Sequence, residues 1–459
     1  MAYRKKKKRK LMSLCRDSFE SWKTNMSLRV LLSDLKDDDI EAFEKHLLVE
    51  ESSRQTKQRQ ARCPWLETPK YNTVRRDGEY AYIPFQWGMN YFSKKYRTER
   101  SDCSPIKIAY LGVLREEQKV VLQESTDLLN RYGSCMMAMY PGGGKTMTSL
   151  ALASVIGMRT LILVNKIVLI QQWMETIQRA FGDHVRVQHL KPSGKIVPGC
   201  QFYIMNALNV PKRDAAEYAR LGIGFVIVDE CHLIMTKIFS RAMAFLSPRY
   251  LIGLSATPFR PDGFDVMLEL YFGLKKIVRK LYRPHRVLLW ETKIKIVAKK
   301  DMRGQILWCS VIDAQTVHEE RNTRIVDACI RHADRNILVL CKRIQQIDTL
   351  LQGLRDKGQS VTCMKDNDVS FDKEARILVA TYQKVGTGFS HDKLDMLVLA
   401  TDAEEYFIQY LGRVFRRPDV HPIVLDIVDD HPILRRHFLT RRKVYQDSGG
   451  AVENYTPLR

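Results

Sequence analysis

From Asp102 onward, short apolar runs alternate with longer segments whose apolar residues recur at helical spacing. That alternation is the signature of an α/β fold built on parallel sheets. In the first series the runs at 135–139, 160–164, 185–190, 202–205, 225–228 and 250–254 predict strands, with helices such as 167–181 and 213–221 between them. A basic stretch, 275–316, interrupts the series and holds one strand-like run at 287–290. Alternation then resumes with strands at 337–340, 360–364, 377–380, 396–400 and 423–427 and helices at 344–355 and 404–414. The α/β pattern therefore occurs twice, and a basic helix at 432–445 with a Gly449-Gly450 tail follows it.

The residues ahead of Asp102 follow another pattern. Positions 13–60 are charged, with a helical repeat over 41–51 and a polar, basic linker over 52–62. Between Cys63 and Cys103 aromatics and prolines dominate, centred on Tyr80-Ala81-Tyr82-Ile83-Pro84-Phe85-Gln86-Trp87-Gly88. A small β-containing module is expected, its aromatics serving as a core or as a stacking surface for bases. This module either stands apart or packs against the first α/β half. The expected organisation is residues 1–103 as basic arm and accessory module, 104–281 as the first α/β domain and 282–459 as the second.

Charge narrows the partners. The 459 residues carry 74 Lys plus Arg against 52 Asp plus Glu, a net +22, which calls for a polyanion: nucleic acid first, an acidic membrane surface second. Arg159 interrupts the longest apolar run, so no spanning helix is expected. The run Arg4 to Lys10 lacks the apolar core of a secretory signal and reads as an import-like or nucleic-acid-binding arm, or as a solvated tail, in a protein that is not exported. Ten scattered cysteines, none in a CxxC pair, suggest a reducing compartment with neither a disulfide framework nor a zinc site.

Two stretches carry chemistry. Met139-Tyr140-Pro141-Gly142-Gly143-Gly144-Lys145-Thr146 lies between an apolar run and a helix former, the order a phosphate-binding loop requires. Gly142, Gly143 and Gly144 let backbone N–H groups converge on phosphate oxygens, Lys145 can bridge the terminal phosphates of ATP, and the Thr146 hydroxyl can ligate Mg²⁺. Met139 stands where the usual pattern opens with glycine. Further on, Val226-Ile227-Val228-Asp229-Glu230-Cys231-His232 places two acids at the carboxyl end of an apolar run, the end that faces the ligand in a parallel sheet. There Asp229 can hold Mg²⁺ and Glu230 can orient and polarise an attacking water.

Asp229-Glu230-Cys231-His232 resembles the DExH box of superfamily 2 helicases, and Ser255-Ala256-Thr257 resembles their coupling motif. Leu114 to Gln118 is similar to the element in which a glutamine, here Gln118, reads adenine. Thr381 to Phe389, with Gly388, is similar to the motif that contacts nucleic acid and nucleotide, and Gln409-Tyr410-Leu411-Gly412-Arg413-Val414-Phe415-Arg416 resembles the arginine-finger motif. The resemblance implies two tandem RecA-like domains and ATP hydrolysis between them. Gln409, Arg413 and Arg416 would act with Glu230, and His232, Ser255 and Thr257 would couple the nucleotide state to movement. Leu163 to Lys166 followed by Gln171-Gln172-Trp173, and the run Leu425 to Asp429, make the likeness nearest to XPB-like enzymes and to the transcript-release helicase of poxviruses and its relatives in other large DNA viruses. It implies an intracellular, DNA-directed motor, nuclear or, if viral, in host cytoplasm or virion, working with the transcription or repair machinery. The competing reading is a catalytically weak scaffold subunit. Two departures stand out: Tyr410 where many relatives have Arg, and Ser390 where many carry a ribose-binding Asp.

Overall fold

Three aspartates, Asp37, Asp38 and Asp39, open the first helix, Asp37–His46, where carboxylates meet the positive end of the helix dipole. Asp39 Oδ2 also accepts from the Lys36 amide at 2.9 Å. This acidic start places the helix earlier than the 41–51 expected from periodicity, and Leu48-Val49 leave it for a strand. The computed structural model describes residues 27–50, 65, 70–92, 103–234, 242–243, 245–246, 248–257, 265–365, 371–386, 389, 391–403, 407–415, 417 and 419–456. Contacts divide the chain into two units, Met1–Met139 with Gly144–Arg279, and Tyr140–Gly143 with Lys280–Arg459.

In the first unit, β1 (Ser27–Leu31), β2 (Leu48–Glu50), β3 (Lys70–Asn72), β4 (Arg75–Asp77) and β5 (Tyr80–Pro84) form a β1-β5-β4 antiparallel sheet and a β2-β3 pair. Helix Phe85–Phe92 follows directly. A seven-stranded sheet then holds β6 (Ser134–Met139), β7 (Thr160–Val164), β8 (Val187–His189), β9 (Phe202–Asn206), β10 (Phe225–Val228), β11 (Tyr250–Ser255) and β12 (Lys276–Arg279). Its order is β12-β6-β11-β10-β7-β9-β8, and every neighbouring pair is parallel.

Alternation along these strands builds two cores. Cys135, Met137, Met139, Ile162, Val164, Ile227 and Leu254 face helices Glu116–Tyr132, Lys145–Ile156 and Ile167–Phe181. Met136, Leu161, Leu163, Val226 and Val228 share the other core with helix Asp265–Phe272 and with Val30, Phe43, Ile83, Phe85 and Phe92. The aromatic residues of 80–92 thus line a face of the first parallel sheet. Phe85 and Phe92 are 1% and 0% exposed, which leaves neither available to stack on a base.

The second unit repeats the plan. Its seven strands are β13 (His285–Lys295), β14 (Ile337–Cys341), β15 (Val361–Met364), β16 (Ile377–Thr381), β17 (Met396–Leu399), β18 (Ile423–Asp430) and β19 (Gly450–Asn454), in the order β15-β16-β14-β17-β18-β13-β19 and all parallel. Leu338, Leu340, Leu378 and Leu397 point into one core; Ile337, Val339, Ile377 and Val398 point into the other. Two edge strands escape the apolar pattern. β12 lies in the basic stretch 275–316, ahead of the one strand expected there, and the glycine tail pairs beside β13 as β19. β13 itself extends well beyond the expected 287–290. No helix among the described residues is long and apolar enough to cross a membrane.

Candidate nucleotide site

Because β6, β11 and β10 are adjacent and parallel, their carboxyl ends bring the segments after Met139, Ser255 and Val228 to one edge of the sheet. Within the first unit, Gly144-Lys145, the Ser255–Thr257 turn and the Asp229–Glu230 pair are thereby gathered although they are far apart in sequence.

The loop after β6 needs its glycines. Gly142 and Gly144 have φ +81° and +90°, a left-handed backbone that side chains disfavour. A Cβ on Gly144 would lie 1.9 Å from Gln118 Nε2, so the adenine-reading candidate packs directly on the loop. Gln118 is buried and its Oε1 accepts from the Arg115 amide at 2.8 Å, which fixes the start of helix Glu116–Tyr132. Lys145 Nζ donates to the Met139 carbonyl at 2.9 Å, holding its charge over the loop. Lys145 and Thr146 occupy the first turn of helix Lys145–Ile156, whose start carries no side-chain cap, and the positive end of its dipole faces the loop.

Asp229 sits between two donors: the Trp173 indole N–H reaches Oδ2 at 2.9 Å and the Glu230 amide reaches Oδ1 at 3.0 Å. Burial, and then the charge of Glu230, push its pKa up from 3.8 to about 6, against the pull of Trp173 and Lys145. Glu230 has φ 45°, a strained backbone for a residue with a side chain, of the kind that persists only where its surroundings hold it. Its Oε2 is buried with no hydrogen-bond partner among the described residues; His232 Nδ1 lies 3.5 Å away. A buried carboxylate oxygen in need of a donor, beside a second acid and a lysine, is a donor set that fits a hydrated cation and a phosphate. His232 Nδ1 is 2.9 Å from Ser255 Oγ, which accepts from the Thr257 amide at 3.0 Å and donates to the Thr257 carbonyl at 2.6 Å. The three coupling candidates therefore form one buried chain.

In the second unit Gln409 is buried on helix Phe407–Val414, and Arg413 Nη1 donates to the Phe389 carbonyl at 2.6 Å. Tyr410 packs edge-on against Tyr382, with ring centroids 5.0 Å apart. Gly388, Ser390 and Arg416 lie outside the described residues, as does the Arg4 to Lys10 run.

Comparison with known proteins decides the family. Residues 111–260 match the family described as Type III restriction enzyme, res subunit. The chain is 35% identical to "Putative helicase 161L" of Invertebrate iridescent virus 6 over 83% of its own length and 91% of the relative's. The chain belongs to the superfamily 2 helicases of large DNA viruses. Frog virus 3 has a further relative, "Putative helicase 055L", at 31% identity over 82% of this helicase and 86% of that protein. The fold is shared with a solved Dbp5 variant of S. cerevisiae bound to RNA and ADP BeF3, with TM-score 0.53, 14% identity, and coverage of 73% of this helicase and 89% of that chain. As a member of this family the helicase uses ATP and acts on nucleic acid.

Two features of the helicase were not expected from its sequence. In the sequence Trp173 belongs only to a stretch of family likeness, yet its indole holds the first acid of the site. In the second unit, Arg441 binds Asp426 through two bonds of 2.8 Å and Asp402 through one of 2.7 Å, while Arg321 binds Asp429 at 3.0 Å, all fully buried. His437 and Tyr445 complete the first cluster, and Thr292 and Gln315 the second.

Proposed function

We propose that the helicase hydrolyses ATP with Glu230 as the residue that orients and deprotonates the attacking water, and uses the energy to move along or open DNA. The observation that carries this reading is the assembly of Lys145, Asp229 and Glu230 at one sheet edge, with Glu230 Oε2 buried and in want of a donor. We assign the polyphosphate to the Gly142–Gly143–Gly144 loop and Lys145, the adenine to Gln118, and Mg²⁺ to Thr146 and Asp229. When bound, Mg²⁺ would neutralise charge on the phosphates. Trp173 keeps Asp229 in one rotamer, and the His232–Ser255–Thr257 chain gives the acid pair a route by which its state is passed on. Gln409, Arg413 and Arg416 are assigned to the charge that develops on the transferred phosphate, with Gly388 contacting the nucleotide. The bond between Arg413 and Phe389 would have to exchange for that role.

The likeness of Leu163 to Lys166 and of Gln171-Gln172-Trp173 to XPB-like enzymes is what supports DNA over RNA, and transcription or repair is the setting we propose. The parallel halves 104–281 and 282–459 are read as the two motor domains. The test compares ATP hydrolysis with no nucleic acid, single-stranded DNA, duplex DNA and RNA. DNA should stimulate turnover most; stimulation by RNA alone would reverse the assignment. Lys145→Ala and Glu230→Gln should both abolish turnover, the second with ATP still bound, and retained turnover in Glu230→Gln would refute the mechanism.

A further inference from the structure

Past the carboxyl end of β13 the chain forms an antiparallel hairpin over residues 299–307 that no helicase motif includes. Leu307 N donates to the Lys299 carbonyl and Asp301 N to the Gln305 carbonyl, both at 2.8 Å, and Lys300 pairs with Ile306. The tip is tied as firmly: Gly304 N donates to the Asp301 carbonyl at 2.9 Å, and Asp301 Oδ1 accepts from the amides of Arg303 and Gln305 at 2.9 and 2.8 Å. At the base, Lys299 N donates to Ser310 Oγ at 2.8 Å. The hairpin is thus ordered by its own bonds.

What it displays is unusual for a solvated turn. Met302 at the tip is fully exposed and Val297 is 84% exposed, with Ile306 and Leu307 also in solvent. Lys299, Lys300 and Arg303, all exposed, are interspersed with these apolar residues along the chain. The sole acid of the hairpin, Asp301, is engaged with backbone amides, and neither Lys300 nor Arg303 has an ion-pair partner among the described residues. Beside the hairpin lies a groove of about 270 Å³ lined by Val297, Lys299, Ser310, Asp313, Ala314 and Val317. Its one carboxylate, Asp313, is paired with Arg343 at 2.8 Å and so does not repel an anion.

Cations interspersed with exposed apolar groups on a hairpin whose backbone is tied match the surface of a nucleic-acid strand, which offers phosphates and the flat faces of bases. We propose that the 299–307 hairpin and its groove are a nucleic-acid contact surface, Lys299, Lys300 and Arg303 taking phosphates while Met302 and Val297 take the face of a base. This rests on the helicase reading above, and its test separates the two. Binding of the full-length protein to a fluorescein-labelled oligothymidine is measured across a salt series for Lys300→Glu/Arg303→Glu and for a control of equal charge change, Arg355→Glu/Lys357→Glu, on another exposed stretch.

Each lost phosphate contact on a single strand removes about 0.7 from the slope of log affinity against log salt. The hairpin pair should therefore flatten the slope by about 1.4 and weaken low-salt binding by about tenfold, the control pair doing much less. Melting temperature and ATP turnover without nucleic acid should match wild type in both, and Met302→Ser should weaken binding with the slope unchanged. Equal losses in the two charge-reversed pairs would mean net charge alone is at work and would overturn the proposal. So would a hairpin variant that keeps oligonucleotide affinity and loses only affinity for phosphatidylserine vesicles. If wild type binds no nucleic acid and is not stimulated by it, the helicase reading and the hairpin's role fail together, an outcome distinct from a hairpin variant that behaves like wild type.

Discussion

Asp229→Asn should stabilise the helicase at neutral pH while ending its catalysis. The carboxyl of Asp229 titrates at 3.8 when unperturbed and at about 6 in the fold, raised by burial and by Glu230. At 1.36 kcal/mol per pH unit, keeping it ionised costs the folded state about 3 kcal/mol above pH 6. Asparagine removes that cost but offers one acceptor where Asp229 serves both Trp173 and the Glu230 amide, a loss of about 1 kcal/mol. The net gain is about 2 kcal/mol, or roughly 4–8 °C in melting temperature for a unit of this size. The sign follows from a raised acid pKa: wild type loses stability relative to the variant as pH climbs from 3.8 to 6, and the gap is constant above. Melts of both proteins without nucleotide or Mg²⁺, at about pH 4.5 and about pH 7.5, read this directly. The variant's advantage should be full at the higher pH and close to nothing at the lower. A variant less stable at pH 7.5, or a difference that ignores pH, would refute the burial argument.

Trp173→Phe keeps the ring's bulk but removes the donor to a buried carboxylate, so it should lower stability by about 2 kcal/mol. Because the indole helps hold the Asp229 pKa down, the acid limb of the turnover–pH profile should also move to higher pH; an unmoved limb would mean that the indole serves packing alone. A chain starting at Ser104 loses Phe43, Phe85 and Phe92 from one face of the first sheet and should melt well below full length or fail to stay in solution; a melt equal to full length would show that the 27–92 segment is dispensable to that core.

Strands such as β7 and β10 are legible in the sequence because burial on both faces leaves uninterrupted apolar runs. β12 and β19 are not, because each is an edge strand: Lys276-Ile277-Val278-Arg279 and Gly450-Ala451-Val452-Glu453-Asn454 mix polar with apolar positions. The glycine loop and the acid pair declare themselves because phosphate chemistry demands those residue types close together. The Trp173–Asp229 bond spans 56 positions and obeys no local spacing rule. Nothing in the sequence singles out Arg321 and Arg441, since arginine is seldom fully buried, and only the fold reveals the aspartates that justify their burial.

β13 has a consequence for how the protein comes into being. Both strands that flank it, β18 and β19, are encoded far downstream, so that Thr292 waits for Asp429, its bonding partner 137 positions later. During synthesis the first sheet has all its strands once Arg279 has left the ribosome, whereas β13 emerges next and stays unpaired through the making of β14 to β17. Long-range parallel pairing of this kind is slow and leaves an open edge in the meantime. A translational pause after Asp430 would leave β13 paired on one side only, and that interval is when a chaperone has most to protect.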